Sequence, residues 1–306
     1  MKIGNLTLQT NAILPAIAGY SDVGMRMLCS EFGAGITYTE MVSAKGLLFN
    51  NENTKALLAT SDYESIKGVQ LFGREPELIA RAIQMKELAK FDIIDINMGC
   101  PMPKIYKNGE GSALMREPKL VEEIVRAAVN ASGGRPVTGK IRAGFSGDEI
   151  NAVEVALAIQ AGGGSAVTVH GRTRDMLYSG YADLSIIADV KKAVSIPVIG
   201  NGDVVDRASF LKMTEQTGVD GVAIARGAVG RPQIFAEVQG TEVEVIPAEL
   251  IKRHINALIG SMPERVVVNT MKKHIASYYK GSRGDKQLRL AIMKATSLND
   301  IYEVLH

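Results

Sequence analysis

The feature that most restricts the fold of this chain is an alternation of eight short β-rich runs with amphipathic segments. In chain order the runs are AILPAI, GITYTE, KGVQLF, DIIDIN, PVTGKI, AVTVHG, IPVIGN and GVAIAR. Segments with helical periodicity, such as EPELIARAIQMKELAK and EPKLVEEIVRAAVNA, separate them. Eight strand–helix units in about 240 residues have the length and number of a closed barrel of parallel strands. The sequence therefore predicts an α/β fold, a (β/α)8 TIM barrel. An open doubly wound sheet is the alternative, but the dinucleotide fingerprint GxGxxG is absent.

The segment that follows Pro247 is organised differently, because helical periodicity continues there without strands. Three helical stretches are predicted: AELIKRHINALIG, ERVVVNTMKKHIASYYK and KQLRLAIMKATSLNDIYEVL. Residues 251–306 hold ten lysines and arginines against four acids (+6) and three of the four histidines, whereas the rest of the chain has 25 basic and 29 acidic side chains (−4). A basic block on an acidic body favours an anionic partner. We predict a barrel domain over residues 1–240 and a small, basic, all-helical domain over residues 247–306 that binds nucleic acid.

Composition excludes several classes of protein. Two cysteines without a CxxC motif favour a reducing cytoplasm and argue against disulfides, zinc sites and four-cysteine iron–sulfur clusters. No apolar run reaches the length of about 18 residues that a membrane span needs, and the N-terminus lacks the pattern of a secretory signal. We expect a cytoplasmic protein that binds no metal and does not enter the membrane.

Polar or glycine residues stand at the carboxyl ends of nearly all eight predicted strands, where a barrel of this kind carries its active site. IGNGDV ends the seventh strand and IARGAVGRP the eighth. Glycines let a backbone approach a ligand closely, and consecutive N–H groups beside Arg226 can bind a phosphate. Each loop alone is equally consistent with an ordinary turn. Together, at the usual phosphate position of such barrels, they favour a phosphorylated ligand.

Three other side chains near the strand ends suit an anionic or heterocyclic ligand. Lys140 interrupts an apolar strand, where it can form a Schiff base or stabilise negative charge on a bound ring. Gln70 carries an amide whose partners could be the carbonyls and ring nitrogens of a heterocycle. A lone histidine such as His170 is more often a structural hydrogen bonder than a ligand, but Arg172 follows it, and this cluster suits an anionic substrate.

Cys100 lies between a glycine and a proline in DINMGCPMPKIYKNGEGSALM, directly after a predicted strand. A packing cysteine belongs inside an element, and Pro101 prevents the strand from continuing. We therefore expect the Cys100 thiol to be exposed at a loop tip and presented to a ligand. Cys29, in contrast, is expected to pack in the first barrel helix.

Five motifs together resemble the tRNA-dihydrouridine synthases: INMGCPMPKIYKNGEGSALM, KIRAG, VHGRTR, IPVIGNGD and ARGAVGRPQIF. The resemblance extends from AGYSD at Ala18 to KHIASYYKG at Lys273, and the cysteine loop is its most specific part. That family consists of flavin enzymes with an FMN-holding (β/α)8 barrel and a C-terminal helical domain. Two departures stand out. PAIAG has its proline one place earlier than the family's Ala-Pro-Met-Ala-Gly, and Ala225 replaces the family's glycine.

The resemblance implies a role for each matching position. FMN contacts would come from Ala16, Ile17, Ala18, Gln70, Lys140, His170, Asn201, Gly202, Asp203, Ala225 and Arg226. The target uracil would be held by Asn97 and Arg172, and Cys100 would be the catalytic proton donor.

The implied reaction is reduction of the C5–C6 double bond of a uridine in tRNA, with the D-loop as the expected location. NADPH, or NADH, would reduce FMN, the reduced flavin would give a hydride to C6, and Cys100 would protonate C5, since a thiol with a reference pKa of about 8.5 is protonated at neutral pH. We expect a monomer. Three alternatives stay open on the residues alone: an FMN-dependent reductase of a small molecule, similar to dihydroorotate dehydrogenase; a non-flavin aldolase that uses Lys140; and a non-catalytic RNA-binding protein.

Overall fold

The computed structural model describes residues 1–281 and 284–305, and its centre is a closed barrel of eight parallel strands. A short antiparallel hairpin, β1 (Lys2–Ile3) and β2 (Leu6–Thr7), precedes the barrel. The barrel strands are β3 (Ala12–Leu14), β4 (Ile36–Ser43), β5 (Lys67–Phe72), β6 (Ile93–Asn97), β7 (Val137–Arg142), β8 (Ala166–His170), β9 (Val198–Asn201) and β10 (Gly221–Ala223). Each pairs with the next along the chain, and β10 pairs with β3 to close the ring. The predicted (β/α)8 barrel is confirmed.

Helices follow the strands and cover the outside of the barrel. They are α1 (Val23–Glu31), α2 (Ala44–Leu48), α3 (Glu52–Ala56), α4 (Pro76–Ile83), α5 (Pro103–Tyr106), α6 (Pro118–Ala131), α7 (Ala152–Ala161), α8 (Leu184–Ala193), α9 (Arg207–Thr217) and α10 (Ile234–Glu237). Their ends follow from local chemistry. The carboxylate of Asp206 accepts a hydrogen bond of 2.8 Å from the Ser209 amide at the start of α9, and Gly218, with φ of 68°, ends that helix.

The amino-terminal end of the barrel is filled with apolar side chains. Ile3 of the hairpin is fully buried, and it belongs to one cluster with Ile13, Ile36, Ile93 and other inward-facing residues of the strands. A second, larger apolar layer lies between the strands and the surrounding helices. Polar side chains of the barrel therefore gather at the opposite end, where the strands terminate.

The C-terminal region contains four helices in its described part: α11 (Pro247–Ile259), α12 (Glu264–Tyr278), α13 (Asp285–Lys294) and α14 (Leu298–Leu305). The prediction of three helices is wrong because the last predicted stretch is broken. Asp300 accepts hydrogen bonds from the amides of Thr296 (2.6 Å) and Ser297 (3.1 Å), and the Ser297 hydroxyl accepts one from the Asp300 amide at 3.2 Å. This reciprocal cap starts a new helix.

The helical region packs against the first helix of the barrel. Val23, Met27 and Leu28 of α1 share one apolar cluster with buried side chains of α11 and α12. Burial of each large apolar side chain contributes about 1.5–3 kcal/mol, so this contact is a substantial part of the core. No helix within residues 1–281 and 284–305 is both long and apolar enough to cross a lipid bilayer.

Two histidines of the C-terminal region lie inside this contact and not on a basic surface. His254 on α11 and His274 on α12 are both fully buried, which corrects the expectation that they add to an anion-binding face. The third, His306, lies outside the described residues.

Candidate active site

Lys140 extends across the carboxyl-terminal mouth of the barrel. Its Nζ donates a 3.1 Å hydrogen bond to Oδ1 of Asn201 at the end of β9, and Asn201 Nδ2 donates to the carbonyl of Ala223 on β10 at 2.8 Å. Burial, together with the positive charge of Arg142, lowers the pKa of Lys140 to about 8. The ammonium is therefore mostly charged at neutral pH and faces the mouth.

A chain of buried hydrogen bonds forms the floor of the mouth. Thr138 Oγ1 and Gln70 Nε2 each donate to Asp95 at 2.6 Å, and Asn97 Nδ2 donates to Gln70 Oε1 at 2.7 Å. Burial raises the pKa of Asp95 to about 6, although the hydrogen bonds from Thr138 and Gln70 act in the opposite direction. Asp95 was not predicted from the sequence, although a carboxylate between the apolar residues of IIDI is the same kind of signal as Lys140 in its strand.

Asn97 fixes the start of the cysteine loop. Its Oδ1 accepts hydrogen bonds from the amides of Gly99 (3.2 Å) and Cys100 (2.9 Å). Arg142 Nε donates to the Gly99 carbonyl at 2.8 Å, and the Ser112 amide donates to the Cys100 carbonyl at 3.1 Å. The floor of the mouth therefore determines where the thiol lies.

The thiol of Cys100 is buried, with 6% of the residue exposed, so the expectation of an exposed loop tip is wrong. The chain after Pro101 folds back over the thiol, and at Gly111, whose φ is 59°, an added Cβ would lie 3.0 Å from the Cys100 Cβ. Burial raises the pKa of Cys100, while the Met102 amide and the charges of Arg142 and Lys140 oppose that rise. The thiol is protonated at neutral pH and lies near two cations.

Arginine–aromatic contacts join the loops that follow β6, β7 and β8. The guanidinium of Arg174 lies 3.8 Å from the ring centroid of Tyr106 and 4.9 Å from that of Phe145, and Arg116 lies 3.6 Å from Phe145. Such contacts contribute about 0.5–2 kcal/mol each. They hold the cysteine loop to its neighbours on the outer side of the mouth.

His170 and Arg172 are both buried at the end of β8. Burial and the charges of Lys140 and nearby arginines lower the pKa of His170 to about 2, so its ring is uncharged. Arg172 donates to both carboxylate oxygens of Asp203 at 2.7 and 2.8 Å and to the carbonyls of Ser179 and Gly180. Its guanidinium holds the loop after β8, and its predicted contact with a uracil stays a prediction.

The loops after β9 and β10 carry Gly202, Asp203 and Arg226. Gly202 has φ of 132°, and an added Cβ would lie 2.5 Å from the Ala182 Cβ. The amides of Gly202 and Asp203 have no hydrogen-bond partner among the residues that the structure describes. Arg226 is 51% exposed at its side chain and lies 3.3 Å from Asp203. Free amides beside an exposed guanidinium suit a phosphate.

The loop after β3, residues 15–22, borders the mouth on its remaining side. The Ile17 carbonyl accepts hydrogen bonds from the amides of Tyr20 (2.8 Å) and Ser21 (3.0 Å), and the Gly19 amide donates to the carboxylate of Glu40. Ala16 and Ile17 are half-buried and Ala18 is exposed. Glu40, whose pKa is raised by burial, stands at the end of the predicted strand GITYTE, but no role was predicted for it from the sequence.

One mouth of the barrel thus brings together an ammonium, a protonated thiol, an uncharged imidazole and two backbone amides without a partner among the described residues. These features define a (β/α)8-barrel enzyme with its active site at the carboxyl ends of the strands. A family model described as dihydrouridine synthase (Dus) matches residues 13–305. The chain belongs to the dihydrouridine synthase family.

Similar proteins cover nearly the whole chain. It is 37% identical to tRNA-dihydrouridine synthase B of Proteus vulgaris, with 100% of this chain and 97% of that protein covered. It is 39% identical to tRNA-dihydrouridine synthase B of Vibrio parahaemolyticus (92% and 89% covered) and 35% identical to a probable tRNA-dihydrouridine synthase of Rickettsia conorii (95% and 91% covered).

Solved structures with the same barrel are much less similar in sequence. Histamine dehydrogenase from Rhizobium sp. 4-9 has a TM-score of 0.62 at 14% identity, and the match covers 84% of this chain but only 50% of that one. Morphinone reductase in complex with tetrahydroNAD has a TM-score of 0.55 at 12% identity, over 82% and 92% of the two chains. At such identities the likeness establishes the fold alone.

Proposed function

We propose that this protein is a cytoplasmic, FMN-dependent tRNA-dihydrouridine synthase that uses NADPH, or NADH, to reduce a uridine of tRNA. The names of its relatives support the tRNA substrate. The observation that carries the proposal is the placement of a protonated Cys100 thiol, fixed by Asn97, at the same mouth as the free amides of Gly202 and Asp203. A lysine-dependent aldolase would have no use for that thiol.

The residues at the mouth fit FMN. The phosphate would be held by the free amides of Gly202 and Asp203 and by Arg226, which is exposed and adjacent. The side chains around the ring would be Gln70, Lys140, His170 and Asn201, with Ala16, Ile17 and Ala18 along one edge. Ala225 has a negative φ of −95°, so the position does not need the positive φ that favours glycine, and a backbone contact there would not depend on the family's glycine.

When bound, FMN supplies the hydride chemistry that amino-acid side chains do not offer. The chain's own residues carry the rest of the reaction. A uracil ring must leave its stack and enter the pocket, where Asn97 and the cations Lys140 and Arg142 favour the negative charge that develops on the ring. Cys100 Sγ holds the proton that C5 takes up. Its raised pKa keeps that proton in place until negative charge appears beside it.

We propose that the basic helices at residues 247–306 contact the tRNA and that residues 1–240 form the catalytic domain. The lysines and arginines in question are exposed on α12, α13 and the segments next to them: Arg265, Lys280, Lys286, Arg289 and Lys294. Contacts with phosphates release counterions, so tRNA affinity should fall steeply with salt.

The proposal is tested with purified protein and tRNA that lacks dihydrouridine. We expect a yellow protein with one non-covalent FMN, which reduces uridine in that tRNA when NADPH is added. Arg226→Ala should weaken FMN binding about 10- to 100-fold, because a hydrogen bond to a charged group contributes about 1.5–3 kcal/mol. Arg126, exposed on α6 and paired with Glu122, provides the control, and Arg126→Ala should bind FMN normally. A colourless wild-type protein that takes up no FMN would contradict the proposal.

A further inference from the structure

A buried group of three side chains joins the barrel to the helical region. His254 Nε2 donates to Asp22 Oδ1 at 2.7 Å, and His274 Nε2 donates to Asp22 Oδ2 at 2.8 Å. The three residues lie on three different elements, since Asp22 caps α1 through a 3.0 Å hydrogen bond from the Met25 amide, while the histidines lie on α11 and α12. We call Asp22, His254 and His274 the clasp.

The clasp is closed to solvent and satisfied mainly by its own members. Both histidines are fully buried and Asp22 is 8% exposed. Burial alone would raise the pKa of Asp22, but His254 and His274 outweigh it and hold that pKa well below its usual value. The hydroxyl of Tyr278 lies 3.3 Å from His254 Nδ1. The Asp22 carboxylate is therefore charged in the fold and depends on donors from the helical region.

Two histidines and a carboxylate are also a possible metal-binding group. The geometry favours hydrogen bonds, because both carboxylate oxygens already lie at hydrogen-bond distance from a ring nitrogen. A structural zinc site takes four ligands, and this group supplies three among the described residues. Nδ1 of His274 has no hydrogen-bond partner in the described part of the chain, whereas a histidine bound to a metal through Nε2 donates its Nδ1–H to a partner.

The clasp lies at the end of the loop that borders the active-site mouth. The Tyr20 ring of this loop packs edge-on against the His274 ring, with centroids 5.3 Å apart. Lys273, which precedes His274 on α12, places its Nζ 5.3 Å from the Tyr20 ring centroid. The other side of this loop is held by Glu40 through the Gly19 amide. The loop thus has one support in the barrel and one in the helical region.

Helices α1 and α11 are in direct backbone contact beside the clasp, at Gly24 and His254. A Cβ added to Gly24 would lie 2.1 Å from Cδ2 of the His254 ring and 2.9 Å from the His254 carbonyl oxygen. A separation that small lies below any real contact, so the absence of a side chain at position 24 allows the His254 ring to reach Asp22. The hydrogen bond between His254 and Asp22 therefore depends on the close packing of α1 against α11 at Gly24.

We propose that Asp22, His254 and His274 are positioning residues of the active site, through which the helical region holds residues 16–21 in the conformation that the cofactor requires. The inference rests on the proposed function, since Ala16, Ile17 and Ala18 are taken there as cofactor contacts. In this arrangement the helical region is a structural part of the catalytic centre as well as a surface for tRNA.

The test compares two aspartates that both cap a helix. Asp22→Asn keeps the shape of the side chain but removes the charge, and Asp206→Asn makes the same change at α9, where no histidine is bound. For both variants and wild type, hydrogen exchange of residues 16–21, the FMN dissociation constant and single-turnover oxidation of reduced flavin by tRNA are measured. Asp22→Asn should weaken FMN binding about tenfold and slow the single turnover about 10- to 100-fold, as small displacements of a positioned group do. Asp206→Asn should match wild type.

A second pair of variants guards against a general loss of folding. His274→Gln keeps an N–H donor that can reach Asp22, whereas His274→Leu has none. We expect His274→Gln to retain most of the FMN affinity and His274→Leu to resemble Asp22→Asn, with faster exchange of residues 16–21 in the latter two. If the clasp only stabilised the fold, all three variants would have a lower melting temperature, but His274→Gln would not bind FMN more tightly than His274→Leu.

The inference is overturned if Asp22→Asn and His274→Leu exchange residues 16–21 at the wild-type rate, or if they loosen these residues but bind FMN and turn over as wild type does. Stoichiometric metal in the purified protein, whose removal reproduces the Asp22→Asn behaviour, would overturn it as well. Failure of the proposed function is recognised separately, because the wild-type protein itself would then take up no FMN.

Discussion

The floor of the active-site mouth and the seam between barrel and helices each hold one buried aspartate and one of the two cysteines. At the mouth, Asp95 is bound by the uncharged donors Thr138 and Gln70, and its pKa is raised to about 6 by burial. At the seam, burial is outweighed by two histidines, and the pKa of Asp22 is lowered. The two buried aspartates therefore have pKa values shifted in opposite directions, because their hydrogen-bond partners differ.

The cysteines differ in the same way. Both thiols have a pKa raised by burial, but Cys29 is fully enclosed and faces the negative charge of Asp22. Cys100 instead lies near Arg142 and Lys140, which oppose the rise. Nearby cations favour loss of a proton from a thiol, whereas a nearby carboxylate opposes it. The surroundings of Cys100 therefore favour proton transfer from its thiol, and those of Cys29 keep its thiol protonated.

The largest expected difference between the regions is catalytic. Cys100→Ala should reduce dihydrouridine formation about 10²- to 10⁴-fold, because that is the usual contribution of general acid catalysis. Flavin content and reduction of the flavin by NADPH without tRNA should stay the same. Cys29→Ala is the matched control and should remain active despite some loss of stability. The measurement is single-turnover oxidation of reduced flavin by tRNA, and a wild-type rate for Cys100→Ala would remove this thiol from the mechanism.

The next difference concerns stability. Asp22→Asn should lower the free energy of unfolding by about 1–3 kcal/mol at pH 7, because one of the two histidine N–H groups then faces an amide N–H and loses its acceptor. The depressed pKa of Asp22 means that this contribution is present above its unfolded pKa of about 3.9 and is lost as pH falls through the folded value. Denaturant unfolding at pH 7 checks the prediction. Equal losses for Asp22→Asn and Asp95→Asn would abolish the contrast between the two regions.

Asp95 should show the opposite dependence on pH. Between its unfolded pKa of about 3.9 and its folded pKa of about 6, the folded chain keeps a proton that the unfolded chain has released, so this residue lowers stability as pH rises, by at most about 3 kcal/mol. Asp95→Asn can still accept from Gln70 and donate to Thr138, and it does not ionise. Relative to wild type, we expect it to gain stability between pH 4 and pH 7 in denaturant unfolding. A constant difference across that range would show that Asp95 is charged in the fold.

The smallest effect tests the outer layer of the seam. Tyr278→Phe removes the hydroxyl that lies 3.3 Å from His254 Nδ1 and should cost about 1 kcal/mol, the usual net contribution of one hydrogen bond. A double-mutant cycle with Asp22→Asn, followed by denaturant unfolding, measures whether the two changes are coupled. Strict additivity would show that the Tyr278 hydroxyl is not coupled to the clasp.

The barrel could be predicted from sequence because its signal is local and repeated. Each of the eight runs has β-rich composition, and the eighth pairs with the first as a consequence of closure. The break before α14 is also local, but helical periodicity continues across it, and the reciprocal cap of Ser297 and Asp300 was the only mark. Apolar periodicity thus predicts the presence of strands and helices more accurately than the residues at which they end.

The site was harder to predict where it depends on distant parts of the chain. Cys100 is buried because the loop that follows folds back over it, which turn residues alone do not reveal. His254 and His274 are far from Asp22 in sequence, so composition grouped them with the basic residues of the tail. Asp95 was visible as a carboxylate in an apolar strand, but its partner Gln70 lies on another strand.

The absence of a side chain at Gly24 limits how such chains can be recombined. A barrel with alanine at position 24, joined to a helical region that keeps histidine at position 254, would bring two overlapping surfaces together. Gene shuffling within such a family would therefore yield folded hybrids only when these positions are inherited from one parent or changed in concert. Although 232 positions separate Asp22 from His254 in sequence, the barrel and the helical region therefore have to be inherited together and are not interchangeable modules.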